Sequence, residues 1–441
     1  VSDLVYARLQ MAISLGFHIV FACIGIGMPL LMAIAEWRWL RTGNEAAKQL
    51  TKQWAKGTAV FFAVGAVSGT VLSFELGLLW PKFMEHAGGL IGFPFSLEGF
   101  AFFTEAIFLG IYLYAWDRIP RWAHWAAGVV VGISGLASAV FVVMVNAWMN
   151  TPTGFEFNAA TGEFSHIDPV AAMFSPAWKA QAIHMVIAAY MATAFGAAGV
   201  HALRLLKDRS SEFHREALRI TMAVALVSAV LQPISGDYAA KVVARTQPVK
   251  LAAMEGQFET ERGAPLRIGG WPDAQAGVTR YAIDIPRALS FLAYGDFDAE
   301  VKGLHEFPRD EWPPVAVVHT AFQVMVGLGS LMLAVGAWWG ASAWRARRRG
   351  GLLGVWVLRA IALCTPTGFV AVEAGWVVTE VGRQPWIVHG VMRTSEAVTP
   401  MPGLVGPFVT FTLVYVALAG VVAVVFWRRV RGVGERGSDG H

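Results

Sequence analysis

Apolar and polar residues alternate along this chain in blocks of tens of residues. Nine apolar runs are long enough to cross a bilayer, which takes about 20 mainly apolar residues. They cover 12–34, 58–80, 94–116, 123–147, 178–203, 218–236, 315–341, 353–380 and 406–427. Short charged stretches separate them, except for one long polar segment after the sixth run. The pattern predicts an all-α, polytopic membrane protein with about nine transmembrane helices in bundles.

The charged stretches set sidedness. Arg38, Arg41, Lys48, Lys52 and Lys56 follow the first run. Alternate loops then carry Arg118 and Arg121; Arg204, Lys207, Arg209 and Arg215; Arg345, Arg347, Arg348 and Arg349; and finally Arg428, Arg429 and Arg431. Basic residues in short loops mark the cytoplasmic side. The N-terminus is then expected outside and the C-terminus inside. Residues 237–312 fall outside with nine Lys and Arg, but loops beyond about 60 residues escape the rule. Aromatic and apolar residues recur through that segment, so a folded lid is expected. The organisation is helices one to six over 1–236, an extracytoplasmic loop over 237–312, helices seven to nine over 313–430, and a cytoplasmic tail over 431–441.

Composition agrees. Hydrophobic residues make up 56% of the 441 and charged residues 15%, against about 25% charged in a soluble domain. A net charge of +4 held in loops is an orientation signal, and no nucleic-acid partner is expected. Cys23 and Cys364 both lie in apolar runs, which argues against thiolate zinc or iron–sulfur sites. No basic stretch precedes the first apolar run, so no cleaved signal peptide is expected.

Ionisable residues inside a membrane are costly and usually functional. Here they are His18, Glu75, Glu98, Glu105, His184, His319, Glu373 and Glu380. Counting about 1.5 Å per residue, His18, Glu98, His184, Glu380 and Met325 fall in the outer half, as a shared cofactor layer requires. Haem iron takes His or Met as axial ligands. His184 with Met325 makes a six-coordinate, low-spin pair, while His18 and Glu380 can each hold one face of a haem. The plainer readings are an interhelical hydrogen bond for each histidine and core packing for Met325. His319 lies six residues before Met325, about 240° around a helix, so it points elsewhere. Glu98 and Glu105, seven apart, share a face, which suits a proton relay or a helix–helix hydrogen bond. Glu373, Trp376 and Glu380 share another, where the indole either packs between haems or simply packs.

Several stretches resemble the larger, haem-binding subunit I of cytochrome bd-type quinol oxidases. GWVVTEVGRQPW at 375–386 is similar to that family's GWxxxExGRQPW signature. SLGFHIVFA surrounds His18, SLEGFAFFTE holds Glu98 and Glu105, IHMVIAAYMATAF holds His184, FQVMVGLG holds Met325, and QPVKLAAMEG supplies Lys250 and Glu255. The resemblance runs from residue 1 to about 430 and fits the short outer-loop subgroup. It implies two haems b and one haem d, with His184 and Met325 on the low-spin haem b. His18 and Glu380 serve the high-spin haem b and haem d, in an order left open. It further implies Lys250 and Glu255 as quinol-site residues, and Glu98, Glu105 and Glu75 as catalytic carboxylates near the oxygen site. Trp376 would serve electron transfer and Arg383 cofactor binding. One departure is Gln323, where some relatives carry arginine.

The function implied is a terminal respiratory quinol:oxygen oxidoreductase. Quinol is oxidised at the outer face, electrons pass through haems b to haem d, and oxygen becomes water with cytoplasmic protons. Glu98 and Glu105 reach only mid-membrane, so a second membrane subunit of homologous fold is expected to complete the proton path, with or without small single-span subunits. Two rivals are a secondary transporter, which predicts internal repeats that the sequence lacks, and a single-haem membrane anchor, which leaves His18 and Glu380 idle.

Overall fold

The computed structural model describes residues 2–158 and 163–435. The last six residues of the expected tail, 436–441, lie outside them. The elements run α1 (Asp3–Thr42), α2 (Glu45–Leu79), α3 (Pro81–Tyr114), α4 (Arg121–Asn150), the strand pair β1 (Glu156–Asn158) and β2 (Glu163–Ser165), α5 (Pro169–Met173), α6 (Trp178–Lys207) and α7 (Glu212–Thr246). The long loop follows as α8 (Pro248–Glu255), β3 (Glu261–Arg262), β4 (Leu266–Asp273), β5 (Val278–Ile285), α9 (Ala288–Tyr294) and β6 (Glu300–Val301). The chain closes with α10 (Val315–Arg349), α11 (Val355–Leu363), α12 (Thr367–Val381), β7 (Trp386–Val388), β8 (Met392–Arg393), α13 (Thr394–Ala397) and α14 (Val405–Glu435).

Among the described residues, nine helical stretches are long and apolar enough to cross a membrane, at the places the hydrophobic runs predict. They outlast those runs. α1 has 40 residues, about 60 Å at helical rise, twice the roughly 30 Å of a hydrocarbon core, so helical backbone continues into the polar zone. For the same reason α7 runs to Thr246, and ten residues that the hydropathy pattern gives to the loop are helix. The eighth span is α11 and α12 with a break at Cys364–Pro366, because proline denies the helix a donor there.

α1 is central: half of its apolar stretch is buried, against 17% for α2 and α3. It packs on α2, α4, α6 and α14. Phe74, Leu78, Phe100, Phe103 and Ile107 of α2 and α3 point outward, as lipid-facing side chains do. A second core joins α6, α7, α10, α11 and α12 through Phe195, Leu218, Met222, Met332 and Ile361. Small residues let these helices approach closely: a Cβ on Gly368 would sit 2.4 Å from the Ala192 backbone.

The loop of 247–314 folds over one end of the bundle, referred to as the loop end. β4 and β5 form an antiparallel hairpin, and α8 and β4 pack against α10. Chain segments at the other gaps of this end are tied together too. Thr399 donates to the Leu79 carbonyl at 2.9 Å, and His389 N–H to that of Met149 at 2.9 Å.

Candidate functional site

A cavity of about 900 Å³ opens beneath the loop, at the top of the range for ligand pockets, and is mainly apolar. His184 on α6, Met325 on α10, Lys250 and Glu255 on α8, and Trp376 on α12 all line it. Four separate elements thus bring five of the sequence candidates to one space. His18, Glu380, Glu98, Glu105 and Glu75 lie outside it.

The two histidines have the same wiring. His184 Nδ1 is 3.0 Å from Ser235 Oγ, and that hydroxyl already donates to the Gln232 carbonyl at 2.9 Å. The proton between ring and serine must therefore sit on Nδ1, which leaves Nε2 as the acceptor nitrogen. His18 repeats this on α1: Nδ1 lies 3.0 Å from Ser68 Oγ, whose proton goes to the Val64 carbonyl at 2.9 Å. A second partner that fixes the tautomer is what a metal-ligating histidine has. Gln232 Nε2 lies 3.2 Å from His184 Nε2 and 3.4 Å from the His184 carbonyl, so this amide is the group that faces the acceptor nitrogen.

Room beside these groups comes from glycine. A Cβ on Gly375 would stand 3.1 Å from Met325 Sδ, one on Gly69 3.0 Å from His18 Cε1, and one on Gly236 3.4 Å from His184 Cε1. Each facing helix is thinned at the ligand candidate. Space and free donor atoms together fit a large planar cofactor.

Glu380, at the loop end of α12, accepts from Asn146 Nδ2 and from Arg383 Nη2 at 2.5 Å. A carboxylate has about four lone-pair sites, so these bonds orient it and leave capacity for iron. Arg383 is 3% exposed, yet its Nε and Nη1 have no partner among the described residues, and His389 Nδ1 is likewise buried and unpaired. Donors left over in such a place suit an acidic cofactor substituent. Burial, with Lys250 and Arg383 nearby, pulls the His389 imidazole down to about 4.

Lys250 is buried, donates to Asn150 Oδ1, and reaches the Thr379 carbonyl at 3.4 Å. Asn150 Nδ2 in turn bonds the Asn146 carbonyl at 2.9 Å. A continuous hydrogen-bonded chain therefore runs from Lys250 through Asn150 and Asn146 to Glu380 and Arg383. Burial lowers Lys250 to about 7, with Arg383 adding to it and Glu380 opposing. Glu255 closes α8, and Gly256 takes the left-handed conformation (φ 61°) that lets the chain turn away at once. Burial pushes the Glu255 carboxyl up to about 8, against the pull of Arg267. Its Oε2 is buried with no partner among the described residues.

His319 points away from the cavity, as its spacing from Met325 predicts. Its Nδ1 is 2.8 Å from the Met254 carbonyl and its Nε2 2.9 Å from that of Gly269. It pins the loop to α10 through those two carbonyls. Gln323, one turn on, receives the Gly269 N–H and donates to the Arg267 carbonyl, both at 3.0 Å.

The other carboxylates sit at two helix contacts, Glu98 and Glu105 of α3 against α4, and Glu75 of α2 against α1. Glu98 accepts from Ser138 at 3.0 Å. Glu105 is buried against Gly135, where a Cβ would meet its Oε2 at 3.1 Å. Glu75 takes bonds from Gln10 at 3.0 Å and Ser14 at 2.9 Å on one oxygen, and its other oxygen is buried and unpaired among the described residues. Trp376 packs on the α1 cluster of Ile19 and Cys23 while lining the cavity, so it stands between the His184 and His18 regions.

Sequence reasoning missed several of these residues. Asn146 and Asn150 are polar, four apart and near the end of an apolar run, which was a usable signal. Tyr112 was hidden by its type. It extends the Glu98–Glu105 face by another seven residues and donates to Glu36 Oε2 at 2.6 Å, while His124 Nδ1 is 2.7 Å from Glu36 Oε1. The stripe that ends mid-membrane on charged residues alone thus continues to the far end through a phenol.

These features define a multi-pass helical membrane protein built around a buried cavity with imidazole and thioether walls. The chain belongs to the family described as cytochrome bd terminal oxidase subunit I, whose profile matches residues 6–433. It is 38% identical over 430 residues to the putative cytochrome bd menaquinol oxidase subunit I of Bacillus subtilis strain 168, covering 96% of this chain and 95% of that protein. Identity to the cytochrome bd ubiquinol oxidase subunit 1 of the same strain is 31%, covering 100% and 96%. The solved bd oxidase of Geobacillus thermodenitrificans superposes with a TM-score of 0.91 at 40% identity, covering 98% of each chain.

Proposed function

We propose that this subunit oxidises quinol in the cavity beneath the loop as part of a quinol:oxygen oxidoreductase of the cytochrome bd type, distinct from the haem-copper oxidases. The observation that carries the reading is that His184, Met325, Lys250 and Glu255 line one cavity. The relatives' names add quinol as donor.

In this reading Lys250 orients a quinol oxygen, and the unpaired Glu255 Oε2 accepts a hydroxyl proton. His184 and Met325 would hold a low-spin haem b. His18 and Glu380 each hold one of a high-spin haem b and a haem d, and Arg383 with His389 receives acidic haem substituents. When bound, these haems would carry electrons from quinol, two from each of two quinols for every oxygen molecule reduced to water. Trp376 fills the space between the two regions. Glu98 and Glu105, with Glu75, hold protons for oxygen reduction. The N-terminus and the loop face outward, and the basic ends of the helices face the cytoplasm. A second membrane subunit of homologous fold completes the oxidase.

The test is a reduced-minus-oxidised spectrum of the purified oxidase with pyridine haemochrome analysis. Haem b and haem d together are expected, and a single haem b would overturn the reading. In Glu380→Ala one haem per chain is expected to be lost with the low-spin signal intact. Full occupancy there would move Glu380 from ligand to proton carrier.

A further inference from the structure

Gln323 opens a question about charge, since a neutral side chain stands beside Met325 where the resemblance admits arginine. The loop brings a different cation. Arg267 on β4 lines the same cavity as Glu255. Its Nη1 donates to the Gln257 carboxamide, two residues beyond Glu255, and its side chain is largely buried. Glu261 at 3.7 Å and Asp284 at 3.8 Å hold the guanidinium from the outer side. Gln323 spends its amide on the backbone of residues 267 and 269, and His319 bonds the carbonyls of Met254 and Gly269. One turn of α10 thereby grips both the strand that carries Arg267 and the helix end that carries Glu255.

We infer that Arg267 is a positioning residue of the quinol pocket: clamped to α10 by His319 and Gln323, it stabilises the Glu255 carboxylate that takes the quinol hydroxyl proton. This rests on the quinol reading above. In the step, one quinol O–H bond breaks, its proton passes to Glu255 Oε2 and one electron leaves to the oxidase's own electron-transfer groups; the second hydroxyl then loses its proton and electron in turn. A buried, unpaired carboxyl resists ionisation, and a neighbouring cation enlarges the ionised fraction that can take a proton. The direction of the Glu255 shift agrees, with Arg267 the group that opposes burial. The other titratable or charged groups near α8 on the elements packed around it are Lys250 on α8 itself, His319 on α10, Arg245 and the Asp237–Lys241 pair on α7, and Glu306 with the Glu259–His305 pair of the loop.

The experiment measures kcat/KM for a short-chain quinol across pH in the purified oxidase. Activity that needs the Glu255 carboxylate rises with pH. Arg267→Gln is expected to move that rising limb to higher pH, costing about tenfold in kcat/KM below the limb for each unit moved. Arg267→Lys should recover most of the loss, and dithionite-reduced spectra should be unchanged. A limb that stays in place in Arg267→Gln overturns the inference. Should that variant fail to fold, the Glu261→Gln, Asp284→Asn double variant decides: freed of its acidic neighbours, Arg267 should move the limb to lower pH, and no movement overturns the inference. Glu255→Gln separates this failure from the larger one. If it keeps parental quinol oxidation, the quinol site itself is misplaced.

Discussion

The two ends of the bundle handle buried polar groups in opposite ways. At the end away from the loop, Glu36, Tyr112 and His124 are buried together. Both Glu36 oxygens are bonded, and His124 Nε2 donates to the Tyr112 carbonyl at 2.9 Å. Trp39 and Trp116 surround them, with Lys48, Lys52 and Arg121 stacked on the indoles. At the loop end, Glu255, Arg383 and His389 are buried with atoms to spare. A satisfied network rigidifies, and an unsatisfied one costs stability unless something else completes it. The difference separates a structural clamp from the place that, in the proposed function, cofactor and substrate would complete.

The largest expected effect tests the unsatisfied end. Lys250→Ala and Glu255→Ala should each cut quinol turnover by roughly 10²-fold or more, the scale of a lost acid–base group. Haem reduction by dithionite should survive. Parental turnover in both would show that the spare atoms at the loop end serve no substrate.

The satisfied end should answer with stability instead. His124→Ala strands the Glu36 carboxylate, and breaking a buried pair costs about 3–5 kcal/mol. A large drop in melting temperature is expected, with the haem spectrum kept in the fraction that stays folded. A stable variant with altered oxygen reduction would reassign this cluster from clamp to proton carrier.

The smallest change in stability belongs to Met325→Leu. Leucine conserves the volume, so packing should lose less than about 1.5 kcal/mol. The low-spin spectrum should nevertheless disappear or convert. An unchanged spectrum and potential would return Met325 to the role of core filler, and the cavity would lose half of its ligand pair.

Much of this was legible along the chain. Nine spans follow from apolar length alone, because a bilayer accepts only backbone that satisfies its own hydrogen bonds. His18, His184, Glu98 and Glu105 stood out because a titratable group in hydrocarbon needs a reason. Met325 and Lys250 did not stand out by type, since one is an ordinary core residue and the other an ordinary loop residue. Only their surrounding motifs marked them.

What the tertiary structure decided is which polar atoms are left over. Sequence spacing puts Glu98, Glu105 and Tyr112 on one face, but it does not say that Glu36 arrives from α1 to meet Tyr112. It gives Glu255 and Arg267 as residues of one long loop, yet their shared cavity depends on His319 and Gln323 gripping two distant backbone segments. Helix periodicity is local and is fixed by residues a few positions apart. Hydrogen-bond satisfaction is settled between segments up to hundreds of residues apart, so it exists only once the chain has folded.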